Sequence, residues 1–234
     1  GASAGQNDQK EYAVAIGYGS GVTSQSGYSV AMGTNAGQTT QGTTAVAIGY
    51  NAGLNSQGNS AIALGFNAGQ ENQSSYAVAI GETTGKINQG SLAVAIGAGS
   101  GNSNQGFTSV AIGNNAGYSS QGTSAIALGF NAGQTSQLEQ TVAIGTNAGQ
   151  TTQGAAAVAI GYNAGQTTQS LSAVAIGYNA GKTSQGLNSV AIGNGAAQNG
   201  QGNNAVAIGI ASNSTGNSAT AIGASSSAGY ENST

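Results

Sequence analysis

A short apolar block recurs at a fixed interval along most of the chain, and a more polar segment separates each block from the next. The block is a small residue followed by Val-Ala-Ile-Gly or a close variant. It begins at every sixteenth position, at Ala13, Ser29, Ala45, Ala61, Ala77, Ala93, Ser109, Ala125, Thr141, Ala157, Ala173, Ser189 and Ala205. A further block begins at Ala219, fourteen positions after the last of these. So regular a period indicates a repeat protein in which each unit packs on its neighbours.

Each repeat predicts one coil of a parallel β-solenoid. The Val-Ala-Ile alternation has the two-residue period that is typical of strands, which Val and Ile favour. The Gly that follows permits a sharp turn, and tripeptides such as Asn35-Ala36-Gly37 predict the next corner. The polar segment that comes next, as at residues 38–41, predicts a second strand that faces solvent.

We therefore expect an all-β fold of about 14 coils of 16 residues. Residues 1–12 form a partial N-terminal coil, residues 13–218 the 16-residue repeats (the last of them with 14), and residues 219–234 a C-terminal repeat of the 14-residue type.

A column of glutamines stays in register with the strand block. Stacked amide side chains can form hydrogen-bonded ladders, so we expect this column to join successive coils. Its members are Gln25, Gln41, Gln57, Gln73, Gln89, Gln105, Gln121, Gln137, Gln153, Gln169, Gln185 and Gln201.

The Val-Ala-Ile strand is apolar on both faces, since Val14 and Ile16 point one way and Ala13 and Ala15 the other. A half-buried strand would alternate apolar with polar residues. We therefore expect one face to fill the coil and the other to meet partner chains. The small Ala side chains suit a thin coil, which favours the larger side chains for the partner interface. The residues chosen for this apolar interface are Val14, Ile16, Val46, Ile48, Val94, Ile96, Val158, Ile160, Val174 and Ile176.

Charge is scarce, and this excludes several classes of partner. Only 4% of residues are charged and the net charge is −3. Nucleic-acid binding requires a basic patch that this chain lacks. No apolar run approaches the ~20 residues of a membrane-spanning helix, so we expect no membrane insertion by this segment. Stacked coils explain the composition, because like charges in one column would repel.

The residue types also predict that the chain is not an enzyme. Cys and His are absent, and the six acidic residues are scattered, so no nucleophile–base pair can be assembled. No metal or cofactor site is expected, because the Asp-rich turns of calcium-binding solenoids are missing.

A partial column of aromatic residues follows the recurring Gly. Their rings either contact a glycan or protein partner at the surface or stack along the solenoid and cover its corner, and stacking is favoured because rings in adjacent coils gain from it. The column contains Tyr18, Tyr50, Phe66, Phe130, Tyr162 and Tyr178.

Blocks such as Ser109-Val110-Ala111-Ile112-Gly113 resemble the YadA-like head repeats of trimeric autotransporter adhesins, and similar repeats occur in viral fibre proteins. The resemblance covers nearly the whole chain, and the last unit is closest to the family's usual 14-residue form, whereas most units here have 16. It implies a left-handed parallel β-roll, a homotrimer and adhesion to a surface or matrix.

Two functions follow as hypotheses. The first is a non-catalytic structural or adhesive rod outside the cell or on a cell or virion surface: an adhesin head, a fibre segment or a filament subunit that stacks end to end. Its ligand would be a surface, a matrix or a glycan. The alternative is a monomeric solenoid that binds ice or a glycan, since Thr pairs such as Thr39-Thr40 lie on the polar strand.

Overall fold

A computed structural model describes all 234 residues of the chain, and its regular elements are strands. Two compact units, Gly1–Ser119 and Ser120–Thr234, divide the chain. Each unit is a parallel β-solenoid in which one 16-residue repeat forms one coil. The predicted all-β solenoid of about 14 coils is therefore confirmed.

In each coil, an apolar strand with the Val-Ala-Ile pattern alternates with a polar strand. The apolar strands of the first unit are Val14–Ile16, Val30–Met32, Val46–Ile48, Ile62–Leu64, Val78–Ile80, Val94–Ile96 and Val110–Ile112. Its polar strands are Asn7–Gln9, Thr23–Gln25, Thr39–Gln41, Asn55–Gln57, Glu71–Gln73, Ile87–Gln89 and Ser103–Gln105, and a further polar strand is Ser119–Gln121.

The second unit repeats this order. Its apolar strands are Ile126–Leu128, Val142–Ile144, Val158–Ile160, Val174–Ile176, Val190–Ile192, Val206–Ile208 and Thr220–Ile222. Its polar strands are Thr135–Gln137, Thr152–Gln153, Thr168–Gln169, Ser184–Gln185, Asn213–Ser214 and Ser227–Ala228.

Strands pair with the equivalent strand of the next coil, in parallel and without slippage. Val78 pairs with Val94 and Ile80 with Ile96 in the first unit, and Val158 pairs with Val174 in the second. Identical residues are thus stacked along each unit, which places every repeat position in its own column.

The corners require backbone conformations that side chains usually avoid. In the coil that begins at Ala61, φ is +132° at Gly65 and +52° at Gly69. A Cβ on Gly65 would lie 2.4 Å from the carbonyl oxygen of Gly81, so this corner excludes any side chain. Asn67 and Tyr76 also have positive φ, at 52° and 61°. Positive φ is unusual for a bulky residue such as Tyr76.

The core is thin and consists mainly of alanine and glutamine, with some serine and threonine. Ala63 and Ala79 on the apolar strands are fully buried, and so is Ala68 at the corner. Gln side chains of the polar strands are the largest that are fully buried.

The expectation that the polar strand faces solvent is wrong for its last residue. On strand Glu71–Gln73 the middle residue is exposed and Gln73 is buried. The reason is that the last side chain of the polar strand points across the coil, where it bonds to the opposite strand.

Candidate interaction surfaces

The larger apolar side chains lie on the outside of each unit. We call the first and third residues of the apolar strands the apolar stripe. In the strand Ile62–Leu64 the two stripe residues are 37% and 40% exposed, whereas Ala63 between them is 0% exposed. All ten residues chosen from the sequence for the apolar interface lie on the stripe and are half-buried or exposed. Each unit therefore carries a continuous apolar surface that its own coils leave partly uncovered.

The glutamine column forms a buried ladder of side-chain hydrogen bonds. In the first unit Nε2 of Gln41 donates to Oε1 of Gln57 at 3.1 Å, and Gln57 donates in the same way to Gln73 at 3.2 Å. The ladder continues to Gln89 and Gln105. In the second unit Gln169, Gln185 and Gln201 form such a run. The ladder joins coil to coil inside the solenoid.

Each ladder glutamine also crosses its own coil. Nε2 of Gln89 donates to the carbonyl oxygen of Val78 at 2.8 Å, and Nε2 of Gln153 donates to that of Val142 at 2.8 Å. These bonds tie the polar strand to the apolar strand. The glutamines therefore have a structural role. Because they are buried, their side chains are not available on the outer surface for contact with a partner.

Aromatic rings stack in adjacent coils and remain exposed. Tyr50 and Phe66 lie 5.3 Å apart between ring centroids, with an angle of 11° between their planes. Tyr162 and Tyr178 lie 5.2 Å apart at 9°. Each of these rings is about half exposed, as is Phe130, and Tyr18 is more exposed than the others. Stacking is the expected arrangement, because adjacent rings in the column bury part of their faces against one another.

A further stacked pair, Tyr12 and Tyr28, was not among the residues chosen from the sequence. Their centroids are 4.9 Å apart. Both occupy the last position of the repeat, one period apart, and this spacing is the signal that would have found them.

Comparison with protein-family models gives a match to the YadA head domain repeat. The matched residues are 9–36, 41–68, 170–196 and 201–226. These coils are YadA-like head repeats. The resemblance to these repeats that was noted in the sequence is confirmed, and the repeat match together with the solenoid fold suggests a structural or adhesin-like protein. No curated protein matched the sequence.

Ionisable side chains are dispersed along the chain. Asp8 and Lys10 form an exposed ion pair at 2.6 Å. No group of three or more His, Cys, Asp or Glu residues is placed to hold a metal ion. A helix able to cross a membrane is not among the elements.

The first unit also has a shallow polar groove of about 460 Å³. Thr40, Ser56 and Asn72, the middle residues of three polar strands, line one side. Ser75 and Ser91 line the other.

Small residues lie at the turn that borders this groove. Gly58 and Ser74 lie between its two sides. In the next coil the column of Ser75 and Ser91 continues with Phe107, whose ring is 51% exposed. The groove thus combines hydroxyl and amide groups with a neighbouring aromatic ring and no charge.

Proposed function

We propose that this chain is a non-catalytic structural and adhesive protein of an extracellular surface, in which three copies cover one another's apolar stripe. The observation that carries the proposal is the stripe itself. Soluble monomers rarely expose large continuous apolar patches, and such patches mark contact surfaces. Stripe residues such as Leu64 and Ile112 are each 40% exposed in a chain that is only 4% charged.

A second copy of the same chain suits this surface, because the stripe is uncharged and repeats at the same interval in every copy. Identical side chains can then meet at each level along the solenoid, and a closed ring of three leaves no stripe exposed. The head-repeat match supports this arrangement, since trimeric association is a property of that family. Adhesion to a surface or matrix, and location on a cell or virion surface, are part of the same proposal.

The native mass in solution tests the assembly. We expect light scattering to give about 67 kDa, three times the 22.3 kDa of one chain. The variant Ile160→Asp should shift the mass to 22.3 kDa, because it would bury a carboxylate in an apolar interface.

Thr152→Asp is the matched control, since Thr152 is exposed on the polar strand of the coil before. It should keep the mass of the wild type. A wild-type monomer, or an Ile160→Asp protein that still assembles as the wild type does, would contradict the proposal.

A second candidate function is recognition of an uncharged glycan by the polar groove of the first unit. The groove is shallow, so a glycan would lie against it with one face in solvent. Hydroxyl and amide groups can exchange hydrogen bonds with sugar hydroxyls, and an exposed ring such as Phe107 offers an apolar face to a sugar.

Binding to a glycan array, followed by titration of any glycan retained, tests this candidate. We expect Ser91→Lys to weaken binding by roughly tenfold or more, because the longer side chain fills the groove. Thr123→Lys, in the equivalent position of a coil outside the groove, should bind as the wild type does. The native mass is unchanged in both variants. No retained glycan, or equal binding by both variants, would count against the groove.

A further inference from the structure

The regular ladder of polar strands is interrupted where the repeat shortens. The block at Ala205 is followed by the next after fourteen positions instead of sixteen. Polar strand Ser184–Gln185 is followed by Asn213–Ser214, and residues 198–200 form no strand between them. Because the following coil is two residues shorter, it does not supply a hydrogen-bonding partner for every residue of this segment.

The same coil contains two Asn-Gly sequences, Asn194-Gly195 and Asn199-Gly200. In such a sequence the backbone nitrogen of glycine can attack the side-chain amide carbon of asparagine, since glycine has no side chain to hinder the approach. The attack requires that nitrogen to be free of a hydrogen bond. Both asparagines are exposed, so solvent reaches both.

Hydrogen bonding distinguishes the two sequences. The N–H of Gly195 donates to the carbonyl oxygen of Tyr178 at 2.8 Å, and the carbonyl oxygen of Asn194 accepts from the N–H of Ala211 at 2.8 Å. Asn199 and Gly200 make no hydrogen bond of either backbone or side chain. No atom lies within 4 Å of the position that a Cβ on Gly200 would take, so the space beside this residue is open.

We propose that Asn199-Gly200 is a site of spontaneous deamidation and that Asn194-Gly195 is protected from it by the coil below. The nitrogen of Gly200 loses its proton and forms a bond to Cγ of Asn199, and the bond from Cγ to the amide nitrogen breaks. That nitrogen leaves as ammonia, with the proton taken from solvent. Water then hydrolyses the resulting succinimide at either carbonyl and gives aspartate or isoaspartate.

The modification places a carboxylate on a neutral part of the surface. The segment borders a small cavity of about 220 Å³ that Gln198 and Asn213 also line, and no charged residue lines it. Since Asn199 and Gly200 take no part in the hydrogen-bonded ladder, the solenoid should accept either product. An ageing population of molecules would then differ in charge at this one place.

Peptide mass spectrometry of the aged full chain tests the proposal. The folded protein is kept in mildly alkaline buffer at physiological temperature and sampled over time. Cleavage after Lys182 places both asparagines in one peptide, and fragmentation then assigns the mass increase to one of them and separates isoaspartate from aspartate. We expect Asn199 to deamidate roughly tenfold faster than Asn194 or more, as the loss of one protecting hydrogen bond implies.

A sample unfolded in urea provides the control. Unfolding removes the bond between Gly195 and Tyr178, so both asparagines should then react at similar rates. Asn199→Gln should abolish the fast reaction in the folded protein and leave the slow one unchanged. Equal rates in the folded chain, or a faster reaction at Asn194, would overturn the proposal.

Discussion

Gly65→Ala is expected to destabilise the first unit by about 2–6 kcal/mol. Its Cβ would lie 2.4 Å from the carbonyl oxygen and 2.8 Å from the carbonyl carbon of Gly81 in the next coil. That neighbour is backbone and cannot rotate away, so the two coils must separate. A φ of +132° adds strain, because an L-residue with a side chain rarely adopts it. A lower urea midpoint, measured with hydrogen exchange around Gly81, would report the effect.

Gly223→Ala separates the steric clash from the backbone strain. Gly223 occupies the same repeat position with a φ of +121°, yet no atom lies within 4 Å of its Cβ position. We expect only the strain, about 1–3 kcal/mol. Gly209→Ala, one coil before it, meets the carbonyl oxygen of Gly223 at 2.4 Å and controls for the position near the end of the chain. If Gly209→Ala and Gly223→Ala were equally stable, the close approach of coils would not be the reason for glycine here.

Gln89→Glu should make stability steeply dependent on pH. Gln89 is fully buried and donates to Val78 at 2.8 Å and to Gln105 at 3.1 Å. Burial disfavours the charged form and raises the pKa of the new carboxyl above the value of about 4.3 that it has in the unfolded chain. The unfolded state therefore loses its proton first as the pH rises.

It follows that the variant loses stability relative to the wild type as the pH increases from about 4, and the loss reaches about 4 kcal/mol at pH 7. Below that range the protonated carboxyl still donates one hydrogen bond, so a penalty of about 1 kcal/mol remains. Urea unfolding at a series of pH values measures both limits.

Asn88→Asp is the matched control for this series. Asn88 is the preceding residue, is exposed and belongs to a surface amide ladder, donating to Asn104 at 3.1 Å. A carboxylate there stays in contact with water, so we expect a change below about 1 kcal/mol without a steep fall towards neutral pH. A Gln89→Glu protein as stable at pH 7 as at pH 4 would mean that the ladder is open to solvent.

The repeat period and the alternation of side chains along the strand were enough to predict the solenoid. Both are properties of short stretches of sequence, and they recur in every coil. The direction of the polar side chains was harder to predict. Gln41 and its equivalents look like surface residues, since glutamine is usually exposed. They are buried because a coil with an alanine core has room for one extended amide and offers it carbonyl oxygens to bond, as at Val30. Only the coil as a whole supplies those partners.

Features that depend on neighbouring coils were not visible in one repeat. The polar groove is lined by residues of several adjacent coils, among them Gly58 and Ser74. The protection of Gly195 likewise comes from Tyr178 in the coil below. The sequence pattern describes the average repeat, and these features belong to particular ones.

The side-chain hydrogen bonds of the buried ladder all point the same way along a run of coils. Each coil in a run therefore offers the same acceptor to the coil before it and the same donor to the coil after it. Along each run a glutamine accepts from the coil before it and donates to the coil after it, as Gln57 does between Gln41 and Gln73. Even the shorter coil keeps this arrangement, since Nε2 of Gln201 donates to Oγ of Ser214 at 3.1 Å. Duplication or loss of a whole repeat within such a run would therefore place a glutamine donor beside a glutamine acceptor again at the new junction. Such a protein can change its length in steps of one coil without redesigning its interior.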